Sequence, residues 1–279
     1  MTIAQQVDTG AVAGSAQAPA AATVKTPWWE HAALYRYGFV VAILIVWEAV
    51  APFISPIFFT SPSKIAVAFY ETTVSGELPY FLAQSLEVMV YGLVTAIVVG
   101  IPLGVAMARI RWLDWALDLP INALYATPLV AVVPLLVLWF GIYLKAKIIV
   151  VFLFAVFPIL INTYQGVKNT DARLLEVARS FSAGEWSMWR DLMVPSAAPY
   201  ILAGIRLGIG RGLVGMIVAE FYTAITGLGY MIVQYANNFR TDRLFVPIVV
   251  LMFLGVSLTS LLRRIERSLA PWLHVAQHE

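Results

Sequence analysis

The chain has 279 residues, of which 61% are hydrophobic and only 12% charged, and its mean hydropathy is +0.82. Soluble domains carry about 25% charged residues, so this composition marks an integral membrane protein. The net charge of +2 decides little, but the absence of cysteine excludes a disulfide framework, thiolate zinc sites and cysteine nucleophiles, and the three histidines (His31, His274, His278) stand at the ends, where they cannot form a buried metal cluster.

Residues 1–27 are rich in Ala, Gln and Thr and lack the basic start and apolar run of a signal peptide. A disordered cytoplasmic tail is expected over residues 1–30, followed by one transmembrane domain over 31–279. A bilayer core of roughly 30 Å needs about 20 helical residues. The first run of that order is Tyr37 to Ile57, interrupted by Glu48 alone. The stretch FTSPSKIAVAFYETTVSGELPYFL, punctuated by Pro62 and Pro79, suits an outer loop with a short interfacial helix. Charge-free spans follow at Val88 to Ala108, Leu119 to Leu144 and Ile148 to Val167. A fifth, Tyr200 to Phe221, carries Arg206, Arg211 and Glu220, and a sixth runs from Leu244 to Leu262. Between these two, Gly227, Gly229, Asn237 and Asn238 break up an uncharged stretch, which reads as an outer loop with a partly inserted helix. The fold class is therefore an all-α membrane protein with six transmembrane helices.

Lysine and arginine favour the cytoplasmic side. With the N-terminus inside, that side holds Lys25, Arg36, Arg109, Arg111, Lys168, Arg173, Arg179, Arg190, Arg263, Arg264 and Arg267, against Lys64, Lys145, Lys147, Arg240 and Arg243 outside. Eleven against five predicts both termini in the cytoplasm. Small residues recur every fourth position at Ala96, Gly100, Gly104 and Ala108, and again at Gly204, Gly208 and Gly212. Such ridges let helices approach closely, within one chain or across a subunit interface.

No Walker phosphate loop, nucleophile elbow or zincin motif is present, and the glycines from Gly208 to Gly215 have the wrong spacing and context for a nucleotide fingerprint. The longest internal loop is instead distinctive, with EVARSFSAGEWSMWRDLMVP at Glu176 to Pro195. Asp171 can cap a helix over Ala172 to Phe181 whose apolar residues are Leu174, Leu175, Ala178 and Phe181. Ser182 to Gly184 breaks it, and a second short helix over Glu185 to Met193 bears Trp186 and Trp189. Pro195 and Pro199 are expected to end that helix and start the fifth span. Physics alone leaves two readings open: the element docks on a partner, or it lies on lipid headgroups.

At these residues the chain resembles the permease subunits of bacterial ATP-binding-cassette importers. Their EAA motif reads E-A-A, three residues, G, nine residues, I-x-L-P; Glu176, Ala178 and Pro195 match, Val177, Leu192 and Val194 are conservative departures, and Ser182 takes the glycine position with Gly184 two residues later. Trp47-Glu48, SPSK at Ser61, AGIRLGIGRG in the fifth span, VAE ending at Glu220 and GLG at Gly227 to Gly229 are similar to the branch importing nitrate, sulfonates and taurine. The resemblance implies the type I importer permease fold in a bacterial plasma (inner) membrane, with a non-catalytic chain whose 168–199 loop docks on a cytoplasmic ATPase through Glu176, Val177, Ala178, Ser182, Gly184 and Pro195. Magnesium-ATP would sit on that ATPase, and no cofactor, metal or nucleic acid on this chain. A periplasmic or lipid-anchored solute-binding protein would deliver a small anionic solute, and a second permease copy would complete the pathway. Trp47 and Glu48 are structural candidates; Arg211, Met216 and Glu220 are pathway candidates. A secondary transporter, the alternative, would show ion-coupling carboxylates in mid-span and a repeat.

Arg211 lies about 18 Å along the fifth span, where an arginine costs at least ~2.5 kcal/mol unless it faces protein or water. Glu220 stands about half a turn away on the same helix and cannot pair with it. Either Arg211 pairs with another helix, with Glu48 as the candidate, or it lines the pathway and attracts an anionic solute.

Overall fold

The computed structural model describes residues 32–269, so the expected tail and all three histidines lie outside the described residues. These residues form two compact units, 32–46 and 47–269. Helix α1 is Ala32–Val50, and residues 32–46 of it make up the first unit. In the second unit, α2 (Pro62–Val74) and the 33-residue α3 (Glu77–Arg109) are followed by α4 (Arg111–Ala126), α5 (Leu129–Phe140) and α6 (Leu144–Lys168). Next come α7 (Ala172–Ser180), α8 (Glu185–Ser187), α9 (Val194–Thr223), α10 (Leu228–Asn237) and α11 (Thr241–Leu269). No strand occurs among the described residues.

Four helices are long and apolar enough to cross a membrane, or five if the bent pair of α4 and α5 is one span, and the shorter apolar helix Tyr37–Phe53 is compatible with the expected six. The third expected span needs correction. Leu119 to Leu144 is not one straight helix: α4 and α5 meet at 98°. Thr127 is extended (ψ 135°) because Pro128 disfavours helical geometry in the residue before it, and Pro128 has no N–H to continue the ladder.

Helix α6 is the axis of the bundle, with fourteen buried residues. Its large side chains press into the small-residue ridges of its neighbours. Gly100 of α3 meets Ile159 and Gly104 meets the Leu160 carbonyl, while Gly204 and Gly208 of α9 meet Ile159 and Asn162. A methyl group at Gly92, Gly104, Gly204 or Gly208 would overlap α6 atoms. Both ridges are thus used within the chain, and they clamp α6 between α3 and α9 where no hydrophobic effect favours helix association.

Candidate functional site

The 168–199 segment starts as the sequence predicts. Asp171 caps α7, accepting the Arg173 N–H at 2.8 Å, and α7 ends at Ser180. Ser182, at the glycine position of the motif, has φ +56°, a left-handed conformation that glycine adopts without cost. No residue of α7 is buried, and Leu174, Val177 and Phe181 present an uncovered apolar face. Val177, of the motif, belongs to that face; Leu175 and Ala178 turn inward, Glu176 is exposed, and Gly184 precedes α8 in extended conformation.

The second half differs from expectation. Pro195 does not end a helix: α8, a π-helical turn at Met188–Met193 and α9 run together as one 39-residue helix, Glu185 to Thr223. In the wide turn the Val194 N–H reaches back five residues to the Trp189 carbonyl, and this shift of register carries the chain past a proline that has no N–H to offer. The element with the tryptophans is therefore the end of the fifth span itself.

At the far end of that helix, Glu220 is fully buried. One carboxylate oxygen accepts from Ser85 Oγ of α3 at 2.7 Å and the other from the Gly229 N–H at 2.7 Å, while Ser85 Oγ also accepts the Leu228 N–H at 2.8 Å. Leu228 and Gly229 open α10, so the pair satisfies donors that a helix start leaves free, and the carboxyl oxygens sit at the positive end of the helix dipole. Gly227 (φ +101°) and Gly229 lie so close to Glu220 that a Cβ at either would overlap it. The GLG run is what a buried carboxylate at 220 requires. Nearby, the Lys147 Nζ donates to the Thr226 carbonyl at 2.9 Å and to its hydroxyl at 2.6 Å, fixing the same turn from α6.

Glu48 repeats this device at α2. It accepts the Ser63 N–H at 3.0 Å and the Ser63 hydroxyl at 2.7 Å, and Trp47 Nε1 donates to the Thr60 carbonyl at 2.8 Å. Trp47-Glu48 with SPSK and VAE with GLG are the same construction: a carboxylate at a span's end caps the N-terminus of the next short helix. Tyr235 of α10 adds a tie to α3, donating to Glu77 Oε1 at 2.6 Å; its burial and that carboxylate push its hydroxyl pKa up to about 12.

The pathway candidates separate. Met216 and Glu220 are both fully buried by this chain, Met216 in a core with Met89 and Ile209. Arg211 is exposed on α9, and its guanidinium lies 4.6 Å from the centre of the Tyr125 ring in α4. Glu48 is engaged at α2, and no carboxylate among the described residues lies within ion-pair distance of Arg211. The face around it, Leu207, Gly210 and Val214, is exposed too. Sequence reasoning missed Ser85 and Lys147, because a lone serine in a span and a lysine at a helix start carry no local mark of a partner far along the chain.

Residues 100–271 match the family model described as the inner membrane component of binding-protein-dependent transport systems. The chain belongs to that family. It is similar to the taurine transport system permease protein TauC of Escherichia coli, 32% identical over 84% of this chain and 88% of TauC, and to a Bacillus subtilis permease provisionally named for aliphatic sulfonates, 31% identical over 85% and 89%. The riboflavin transport system permease protein RibX of Chloroflexus aurantiacus is 33% identical over 82% of this chain and 87% of its own length. The protein is a permease subunit of an ABC importer, of the sulfonate and taurine branch, a non-catalytic multi-pass component of the plasma membrane. ATP use by a partner ATPase and delivery by a solute-binding protein follow from membership of the family.

Proposed function

We propose that two copies of this permease form the pathway for a small anionic solute, with both termini in the cytoplasm and the 168–199 segment of each docked in a groove of its ATPase. One observation carries this reading: a single unbroken helix, Glu185 to Thr223, bears the docking element at one end and Arg211 farther along. Arg211 lies about 39 Å from Glu185 at 1.5 Å per residue. Movement of the docked end is therefore transmitted along one continuous helix, through the π-helical turn at Met188–Met193, to the cation. Rocking of bundles around a central site is the general pattern of alternating access.

The uncovered face of Leu174, Val177 and Phe181 supplies the apolar contact, and Glu176, Ala178, Ser182, Gly184 and Pro195 shape the segment around it. Arg211, without an ion-pair partner among the described residues, presents a cation in an otherwise apolar face, which suits the sulfonate or carboxylate of a solute. Met216 and Glu220 support the helix that holds it. Leu207, Gly210 and Val214, uncovered in one chain, suit contact with α9 of the second copy.

Arg211→Gln should lower anion transport about tenfold or more while leaving membrane level and ATPase co-purification unchanged; wild-type transport in that variant would sink the pathway role. Cysteines placed at Gly210 or Val214, in a chain with none of its own, should cross-link permease to permease. No such product from either position would rule out this contact.

A further inference from the structure

Arg109, the last residue of α3, is gripped by two side chains of the segment that leads into α9. Its Nη2 donates to Glu185 Oε2 at 2.7 Å, and its Cζ lies 4.8 Å from the centre of the Trp189 ring. Glu185 and Trp189 are four residues apart and so share one face of a helical turn. The carboxylate takes the N–H edge of the guanidinium and the indole takes its plane, a double engagement that a lysine could not reproduce. Among the described residues, no other ion pair joins residues 170–193 to a helix outside that segment.

We propose that this clasp is a second mechanical linkage of the transporter, delivering movement of the docked segment to α3 as well as to α9. It rests on the reading of 168–199 as the ATPase-docking element. The covalent route into α9 passes through the π-helical turn at Met188–Met193, a widened turn of the kind found at functional hinges. The clasp engages Glu185 before that turn and Trp189 within it, and so bypasses most of it. It also answers a packing requirement. Both α3 and α9 hold α6 through glycine contacts too close to slide, so a pull on α9 alone would shear the α6 contacts. With α3 pulled as well, the three helices travel as one body. The Arg109 and Glu185 side chains are 38% and 69% exposed, so the pair adds little to static stability. Its effect arises where the resting and ATP-bound states differ in how firmly it is held.

The test uses the permease reconstituted with its ATPase and followed by hydrogen exchange, with Mg-ATP and vanadate as the probe. Addition of the ATPase should protect residues 172–193 in the wild type and in both Arg109→Gln and Glu185→Gln. Trapping with Mg-ATP and vanadate should then change exchange at residues 104–112 in the wild type, and this response should fall about fivefold in each variant. The double variant should lose no more than either single one, because both changes remove one contact. An unchanged response in the variants, no response in the wild type, or additive losses would overturn the clasp. Loss of ATPase protection only in the Arg109 variant would also overturn it, by making Arg109 a folding residue of the segment. No protection in the wild type would overturn the docking reading and the clasp with it. Glu185→Gln alters an exposed side chain and carries the test by itself if Arg109→Gln accumulates poorly.

Discussion

Glu185 and Glu220 are carboxylates on the same 39-residue helix, held in opposite ways. Glu220 is fully buried, bonded to a hydroxyl of α3 and a backbone N–H of α10, and pressed by two glycines. Glu185 is largely exposed and pairs with one arginine that water also reaches. A buried polar network is costly to break, because each group left unpaired keeps its desolvation penalty. An exposed pair exchanges its partner for water at little cost. The helix is therefore fixed at one end and releasable at the other, the arrangement a lever needs.

The largest effect should come from Gly227→Ala, which combines an unfavourable φ with overlap of the Glu220 carboxylate. A loss of about 3 kcal/mol or more is expected, seen as a collapse of the monodisperse fraction after detergent extraction. Repeating it in a Glu220→Ala background removes the overlap but keeps the φ penalty. The added cost there should fall to the backbone penalty alone, about 1–3 kcal/mol; an equal cost in both backgrounds would mean that Glu220 is not what the glycine accommodates.

Next in size, Glu220→Ala leaves the Ser85 O–H and the Gly229 N–H without an acceptor and should cost about 2–4 kcal/mol, whereas Glu185→Gln should shift thermal unfolding by less than about 0.5 kcal/mol in equivalent stability. Comparable unfolding temperatures for the two variants would erase the distinction between the ends.

The smallest effect is a gain. Ser182→Gly relieves the left-handed strain at φ +56° and should stabilise the segment by about 0.5 kcal/mol after the added freedom of glycine in the unfolded chain is subtracted. Slower proteolytic cleavage between α7 and α8 is the measurement; faster cleavage would mean that the turn draws no benefit from glycine.

How much was legible beforehand follows the range of the interactions. Hydropathy placed six spans, and the Asp171 cap and the break at Ser182 were readable because each depends on residues a few positions apart. The small-residue ridges were visible, but not the helix they grip. Pro195 was misread as a terminator, because proline forbids an ordinary helical turn whereas a π-helical turn admits it, and nothing local announces that choice. Pro128 was passed over inside an apolar run, because hydropathy averages over the backbone geometry that bends α4 from α5.

By itself, then, the sequence determined that this chain lives in a membrane, which stretches are apolar enough to cross it, and where its polar element interrupts them; these depend on the free energy of placing each residue in lipid or water, which is nearly additive along the chain. Only the tertiary structure decided that Glu220 meets Ser85, 135 positions away, that Arg109 meets Glu185 across 76, and that Arg211 stands over Tyr125 with no carboxylate of the described residues in ion-pair range. Those pairings depend on which faces the glycine ridges turn toward α6, and a ridge fixes how closely two helices approach without naming the residues that the approach brings together.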